Sequence, residues 1–150
     1  MLSFSHTLIS LPFGLTLTNP LLIFIAAFLM HLISDMFLHW NIYPHHYKSY
    51  PFFRVGVDVL SGLVFSYLLL SNALFTLPVL AAIAGGNAPD VLHAFWSFLE
   101  KAKQKNAPGF VQWAFHFHEI IQRETLSPLV GGLWQIIFCS VAIILVTFLR

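Results

Sequence analysis

Apolar residues run almost unbroken through Pro20–Trp40, Phe52–Leu70, Leu74–Leu99 and Leu126–Leu149. Each stretch approaches or exceeds the roughly 17 to 25 residues that an α-helix needs to cross a bilayer. A fifth stretch, Phe4–Thr18, is shorter and carries Pro12 and Gly14; Thr18-Asn19-Pro20 follows it and reads as a turn between antiparallel helices. The period changes in Pro108–Glu124. There Gln112, His116, Glu119 and Arg123 recur at i, i+4, i+7 and i+11, while Trp113, Phe117 and Ile121 take another face. That alternation predicts an amphipathic helix lying along a membrane surface, begun by Asn106 and Pro108-Gly109 and ended by Ser127-Pro128. The pattern as a whole predicts an all-α fold: one integral membrane domain over 1–150, a bundle of four to five transmembrane helices with one cytoplasmic interfacial helix.

Composition supports the same solvent. The 150 residues are 58% hydrophobic and 9% charged, and the mean hydropathy is +0.80, leaving too little polar surface for a soluble globule of this size. A formal net charge of +1 without a basic stripe excludes the usual means of gripping nucleic acid. The single cysteine, Cys139, implies neither a disulfide nor a thiolate cluster. Leu2–Leu17 lacks the basic start and small-residue cleavage site of a signal peptide and is expected to be retained.

The few cations orient the bundle. With five spans, Lys48, Arg54, Lys101, Lys103, Lys105 and Arg123 all fall in loops on one side, and only Arg150 falls on the other. Cytoplasmic loops carry the excess of Lys and Arg, so the N-terminus is expected in the cytoplasm and the C-terminus outside.

Against this background the eight histidines stand out. His31, Asp35 and His39 recur every fourth residue inside an apolar run, where ionisable groups are expensive and mark function. On a continuous helix they share an arc but span about 12 Å, too far for one ion to take all three. The spacing suits two neighbouring divalent ions with Asp35 between them; the alternative is a polar seam hydrogen-bonded to other helices. In Gly85-Gly86-Asn87-Ala88-Pro89-Asp90, the glycines and proline are expected to interrupt the fourth helix, with Asp90 and His93 sharing a face beyond the break as ligands, or Asp90 serving as a cap. His116, His118 and Glu119 form a third cluster, in which His116 and Glu119 share a face and His118 does not. His6 can contribute from the first helix. Asp58 is a lone carboxylate one turn inside the third, placed to act on substrate, to orient a ligand or to pair with Arg54. His45 and His46 read as exposed loop residues. All these clusters map to the cytoplasmic side. Imidazoles with carboxylates and no thiolate suit zinc, or manganese or iron, better than a soft metal.

His31-x3-Asp35-x3-His39-Trp40, the later Gly85-Gly86-x-x-Pro89-Asp90 and the N-terminal Ser5-His6-Thr7 resemble the inner-membrane metal-dependent hydrolase family, sometimes described as LexA-binding, and more remotely the zinc-dependent phospholipase C group. Ser5 stands where that family usually has Thr, and Val91-Leu92-His93 follows Asp90 in place of an immediate Asp-His. The resemblance implies a bacterial inner-membrane hydrolase acting on a phosphoester, with a lipid or lipid-linked substrate favoured by an interfacial opening. His31, Asp35, His39, Asp90 and His93 would hold metal, joined by His6, His116 and His118, and Glu119 or Asp58 would act as general base. Two other readings remain: a metal or proton transporter or non-catalytic membrane partner, and a b-type haem protein. The outer half is nearly bare of polar groups, which favours a closed pocket over a path. Substrate, metal and any homo-oligomeric state stay open.

Overall fold

The computed structural model describes residues 1–42 and 51–150, so His45 and His46 lie outside the described residues. The described part is all-helical, without strands. Its elements are α1 (Ser3–Thr16), α2 (Pro20–Asp35), α3 (Pro51–Leu70), α4 (Leu77–Phe98), the short α5 (Lys101–Lys105), α6 (Gly109–Ile121) and α7 (Pro128–Leu149), with a 3-10 turn at Ser71–Phe75 before α4.

The local sequence explains the boundaries. Asn19 accepts hydrogen bonds from the backbone N–H groups of Leu21 and Leu22 at 3.0 and 3.2 Å, and Pro20 fixes the first helical position of α2. Ser127 and Pro128 repeat that device at α7. α1, the shortest of the apolar stretches, is the centre of the bundle. It packs against α2, α3, α4 and α7 and is buried continuously from Ser5 to Leu11. Its 14 residues extend about 21 Å, less than a bilayer core.

Polar side chains are buried at one end of the molecule while many apolar ones face outward. Ser5, His6, Thr7, Ser10, His31, Ser34, Asp35 and His39 are buried, while Leu21, Leu22, Ile25, Leu29 and Ile33 on α2 and Leu129, Leu133, Ile136 and Phe148 on α7 face outward. The interior divides along the bundle axis. Leu8, Leu11, Leu70, Leu74, Val79, Cys139 and Val146 form an apolar core, and the polar groups collect toward the start of α1 and the end of α2. Among the described residues, two helical segments are long and apolar enough to cross a membrane: Phe53–Phe75, with mean hydropathy 1.6, and Pro128–Leu149, with 2.4.

Two sequence expectations fail here. α2 ends at Asp35, so His39 is not on the helical arc of His31 and Asp35. The chain turns and His39 lies extended beside Glu124, giving its N–H to Arg123 O at 2.9 Å and accepting from Thr125 N at 2.9 Å. α4, in turn, is continuous through Gly85, Gly86 and Pro89. The glycines serve close approach: a Cβ on Gly85 would strike the backbone of Phe24, and one on Gly86 would lie 2.9 Å from Ser10 Cβ and 3.0 Å from His6 O.

Gly131 does the same for the His39 segment. A Cβ there would collide with Trp40 N and sit 2.6 Å from His39 C, whereas Gly132 next to it faces open space. Gly131→Ala is therefore expected to destabilise the fold by about 1–3 kcal/mol through overpacking. Gly132→Ala, gaining helix propensity alone, should leave stability equal or raise it by about 0.5–1 kcal/mol. Thermal unfolding of the two variants in detergent, followed by circular dichroism, compares them.

Candidate metal centre

Four side chains from three helices converge: His31 and Asp35 from α2, Asp90 from α4 and His118 from α6 each offer a ligand atom, and these atoms all lie within 4.8 Å of one another. His31 Nε2 is 3.3 Å from Asp35 Oδ2 and 3.7 Å from Asp90 Oδ1. His118 Nε2 is 3.4 Å from His31 Nε2 and 3.8 Å from Asp35 Oδ2. His6 Nε2 from α1 approaches Asp35 Oδ1 at 3.3 Å, and His39 Nε2 approaches the same oxygen at 3.7 Å. The Met1 amino group also donates to that oxygen, at 2.6 Å. The side chains of His6, His31, Asp35 and His39 are wholly buried, and that of Asp90 is 18% exposed.

The groups behind the cluster orient its imidazoles. His31 Nδ1 donates to Gly86 O at 2.7 Å, which leaves Nε2 as a lone pair aimed inward. His39 Nδ1 donates to Phe37 O at 2.8 Å to the same effect. His118 Nδ1 meets His93 Nδ1 at 2.9 Å. Burial, and after it the neighbouring His31, push His118 down to about 4, so at neutral pH its imidazole is in the uncharged form that ligates metal.

The residues fit a divalent cation on their own geometry. His6 Nε2, His39 Nε2 and Asp90 Oδ1 are buried with no hydrogen-bond partner among the described residues. Leaving such groups unsatisfied costs about 1–3 kcal/mol each, more for a charged one; a cation among them would remove that cost. Imidazole and carboxylate ligands without sulfur define a borderline-to-hard site.

The other expected residues lie elsewhere. His93 stands behind His118, with Nε2 3.8 Å from Glu119 Oε1. His116 is exposed and pairs with Glu119 at 3.7 Å on the outer surface of α6, so neither His116 nor Glu119 reaches the cluster. Asp58 is not free for chemistry: its carboxylate accepts from Ser3 N at 2.8 Å and Phe4 N at 3.2 Å, capping the first turn of α1. Sequence reasoning missed Gln122, whose Nε2 reaches Asp35 Oδ2 at 3.4 Å, and Glu124, whose Oε1 is 4.0 Å from His39 Nε2. Of the two faces of α6, the one that carries His118 turns inward and the His116/Glu119 face turns outward. Val111, Phe115, His118 and Gln122 are the less exposed positions, a stripe at i, i+4, i+7 and i+11 that was present in the sequence beside the more polar one.

No protein-family model, curated protein or solved structure matches the chain. The class that fold and site define is thus an all-helical protein with two possible membrane-spanning helices and a buried His/Asp cluster able to hold a metal ion.

Elemental analysis of the purified protein checks the site. Bound divalent metal is expected to be lost in Asp35→Ala and retained in His116→Ala; His93→Ala, which removes only the group behind His118, should weaken metal affinity about 10- to 100-fold. Asp58→Ala should instead keep its metal and lose about 1–3 kcal/mol of stability, read from the unfolding midpoint.

Proposed function

We propose that this chain is a multi-pass protein of a bacterial inner membrane that hydrolyses a lipid-linked phosphoester with a metal ion, zinc foremost, at the cytoplasmic end of a four- to five-helix bundle. The observation that carries this reading is the position of His118. The same side chain that closes the His31, Asp35 and Asp90 cluster also lines a cavity of about 280 Å³ walled by Phe28, Leu32, Leu92, Trp113 and Phe117. An apolar slot that ends on a polar, metal-competent cluster suits an amphiphile, with its chain in the slot and its headgroup at the ligands.

The outward apolar faces of α2 and α7 support insertion, and the placement of Lys and Arg supports a cytoplasmic N-terminus. Buried on every side, α1 need not span the bilayer by itself. The resemblance of Ser5-His6-Thr7, His31-x3-Asp35 and Pro89-Asp90 to the inner-membrane metal-dependent hydrolases agrees with this reading.

A bound divalent ion would polarise a phosphoryl oxygen and acidify a water. The chain's own residues supply the rest. His31, Asp35, Asp90 and His118 would hold the ion, and Gly86 O fixes the His31 ring through Nδ1. His93 connects His118 to Glu119 at the surface, so Glu119 acts through two imidazoles as a positioning residue. Asp90, at 18% exposed, has the most open side chain of the four, while His118 is the member of the cluster that lines the slot. Haem is disfavoured by geometry: the His6 and His31 rings stack at 3.7 Å, and carboxylates occupy the space in front of their Nε2 atoms.

The test is turnover of phosphoesters by metal-loaded protein. Metal-dependent hydrolysis of a long-chain phospholipid or lipid phosphate, abolished in Asp35→Ala, is expected; no turnover of any short- or long-chain phosphoester by loaded protein overturns the assignment. Leu32→Trp, which fills the slot, should raise KM about tenfold for the long-chain substrate and leave that for p-nitrophenyl phosphate unchanged.

A further inference from the structure

The cluster has two sides, and its carboxylates divide between them. Asp35 turns Oδ2 toward His31 and His118 and Oδ1 toward His6 and His39. Asp90 divides the same way, with Oδ1 3.7 Å from His31 Nε2 and Oδ2 3.8 Å from His6 Nε2. From this we propose a second divalent-cation position, held by His6 Nε2, His39 Nε2, Asp35 Oδ1 and Asp90 Oδ2, so that both carboxylates bridge a pair of ions.

The hydrogen bonds behind the rings fix which atoms face this position. Ser34 Oγ gives its proton to His31 O at 2.8 Å. Its lone pairs are what it can offer His6 Nδ1 at 3.5 Å. His6 therefore carries its proton on Nδ1 and presents Nε2 as a lone pair. His39 does the same through Phe37 O. Two imidazole lone pairs thus converge on one carboxylate oxygen, an arrangement that favours a cation shared by all three atoms over the ammonium that meets the oxygen alone. Both Nε2 atoms are fully buried and have no hydrogen bond among the described residues. The Met1 ammonium on Asp35 Oδ1 at 2.6 Å shows that this oxygen takes a positive charge; a divalent ion would replace it there.

The spacing agrees with a pair. His6 and His31 stack nearly parallel, 21° apart, with centroids separated by 3.7 Å, and each sends its Nε2 to a different oxygen of the same two carboxylates. Ligand atoms offset by that amount suit ions about 3.5–4 Å apart, the separation of two-metal hydrolytic sites. The proposal rests on the metal reading of the cluster and not on hydrolysis.

The experiment loads the full-length protein with Mn²⁺ in detergent, counts ions per chain by elemental analysis and records its electron paramagnetic resonance spectrum. Two ions per chain with an exchange-coupled spectrum are expected. His39→Ala and, independently, His6→Ala should each fall to one ion with the six-line spectrum of isolated Mn²⁺, and His118→Ala should also fall to one by losing the other. One ion in the wild type, or two retained in His39→Ala, overturns the second position; no ion in the wild type overturns the metal centre with it. Two coupled ions without phosphoester turnover would uphold this inference while overturning the proposed reaction.

Discussion

The side chain of Asp35 is an anion with no solvent exposure, and compensating that charge organises one end of the molecule. An isolated carboxylate cannot be buried without losing several kcal/mol of hydration, so hydrogen bonds and positive charge must come from elsewhere in the fold. They come from three helices and the segments beside them: Met1 just before α1 and His6 within it, His31 one turn earlier in α2, His39 beyond its end, His118 in α6 and Gln122 just past that helix. Separately from the carboxylate, the Asp35 main-chain carbonyl accepts from Arg123 N at 3.0 Å, which ties the end of α2 to the segment after α6. The chain segments around α2's end are held where they are by the need to meet this one residue.

Asp90 makes the balance incomplete. A second carboxylate faces the same imidazoles, and both carboxyl groups share one buried space with the Met1 ammonium, which contacts Asp35 alone of the two. Hydrogen bonding alone could satisfy a polar seam, which was the competing reading of this sequence. It does not account for lone pairs on His6, His39 and Asp90 that point into the same buried space with nothing donating to them. A cation accounts for all three together.

Much of this was legible in the chain. The i, i+4 spacing of His31 and Asp35 survives because both fall inside α2. His39 was misread because the hydropathy of Met36-Phe37-Leu38 continues the helix pattern, while the actual stop is tertiary: the His39 segment pairs with residues 123–125 and needs Gly131 beneath it. Gly85 and Gly86 were read as breakers because local propensity cannot see that α4 must approach the backbone of α2 and α1. For α6, two stripes ran side by side, and the choice between them depended on partners. The polar one, with His116, turned outward, and the one containing His118 turned in. Asp58 left three roles open in the sequence, chemistry, orienting a ligand or pairing with Arg54; its carboxylate accepts from backbone amides of α1, a kind of bond that leaves no mark in sequence.

The division of the interior into a polar and an apolar half bears on what the cluster is for. A conduction or transport route needs polar groups at successive depths, so that an ion or proton is never far from its next partner. Beyond Ser10 the core of α1 passes into contact with Leu70, Leu74, Val79 and Val146, side chains that offer an ion nothing. Among the described residues, an opening beside the cluster is lateral. It runs from His118 into the slot between α2, α4 and α6, whose walls are aromatic and aliphatic. A charged species gains little by leaving along such a surface, whereas a hydrocarbon chain gains from entering it. An amphiphile anchored by its headgroup at the ligands satisfies both ends of that gradient, and this is the physical reason for proposing a lipid-linked molecule and not a passing ion as the ligand.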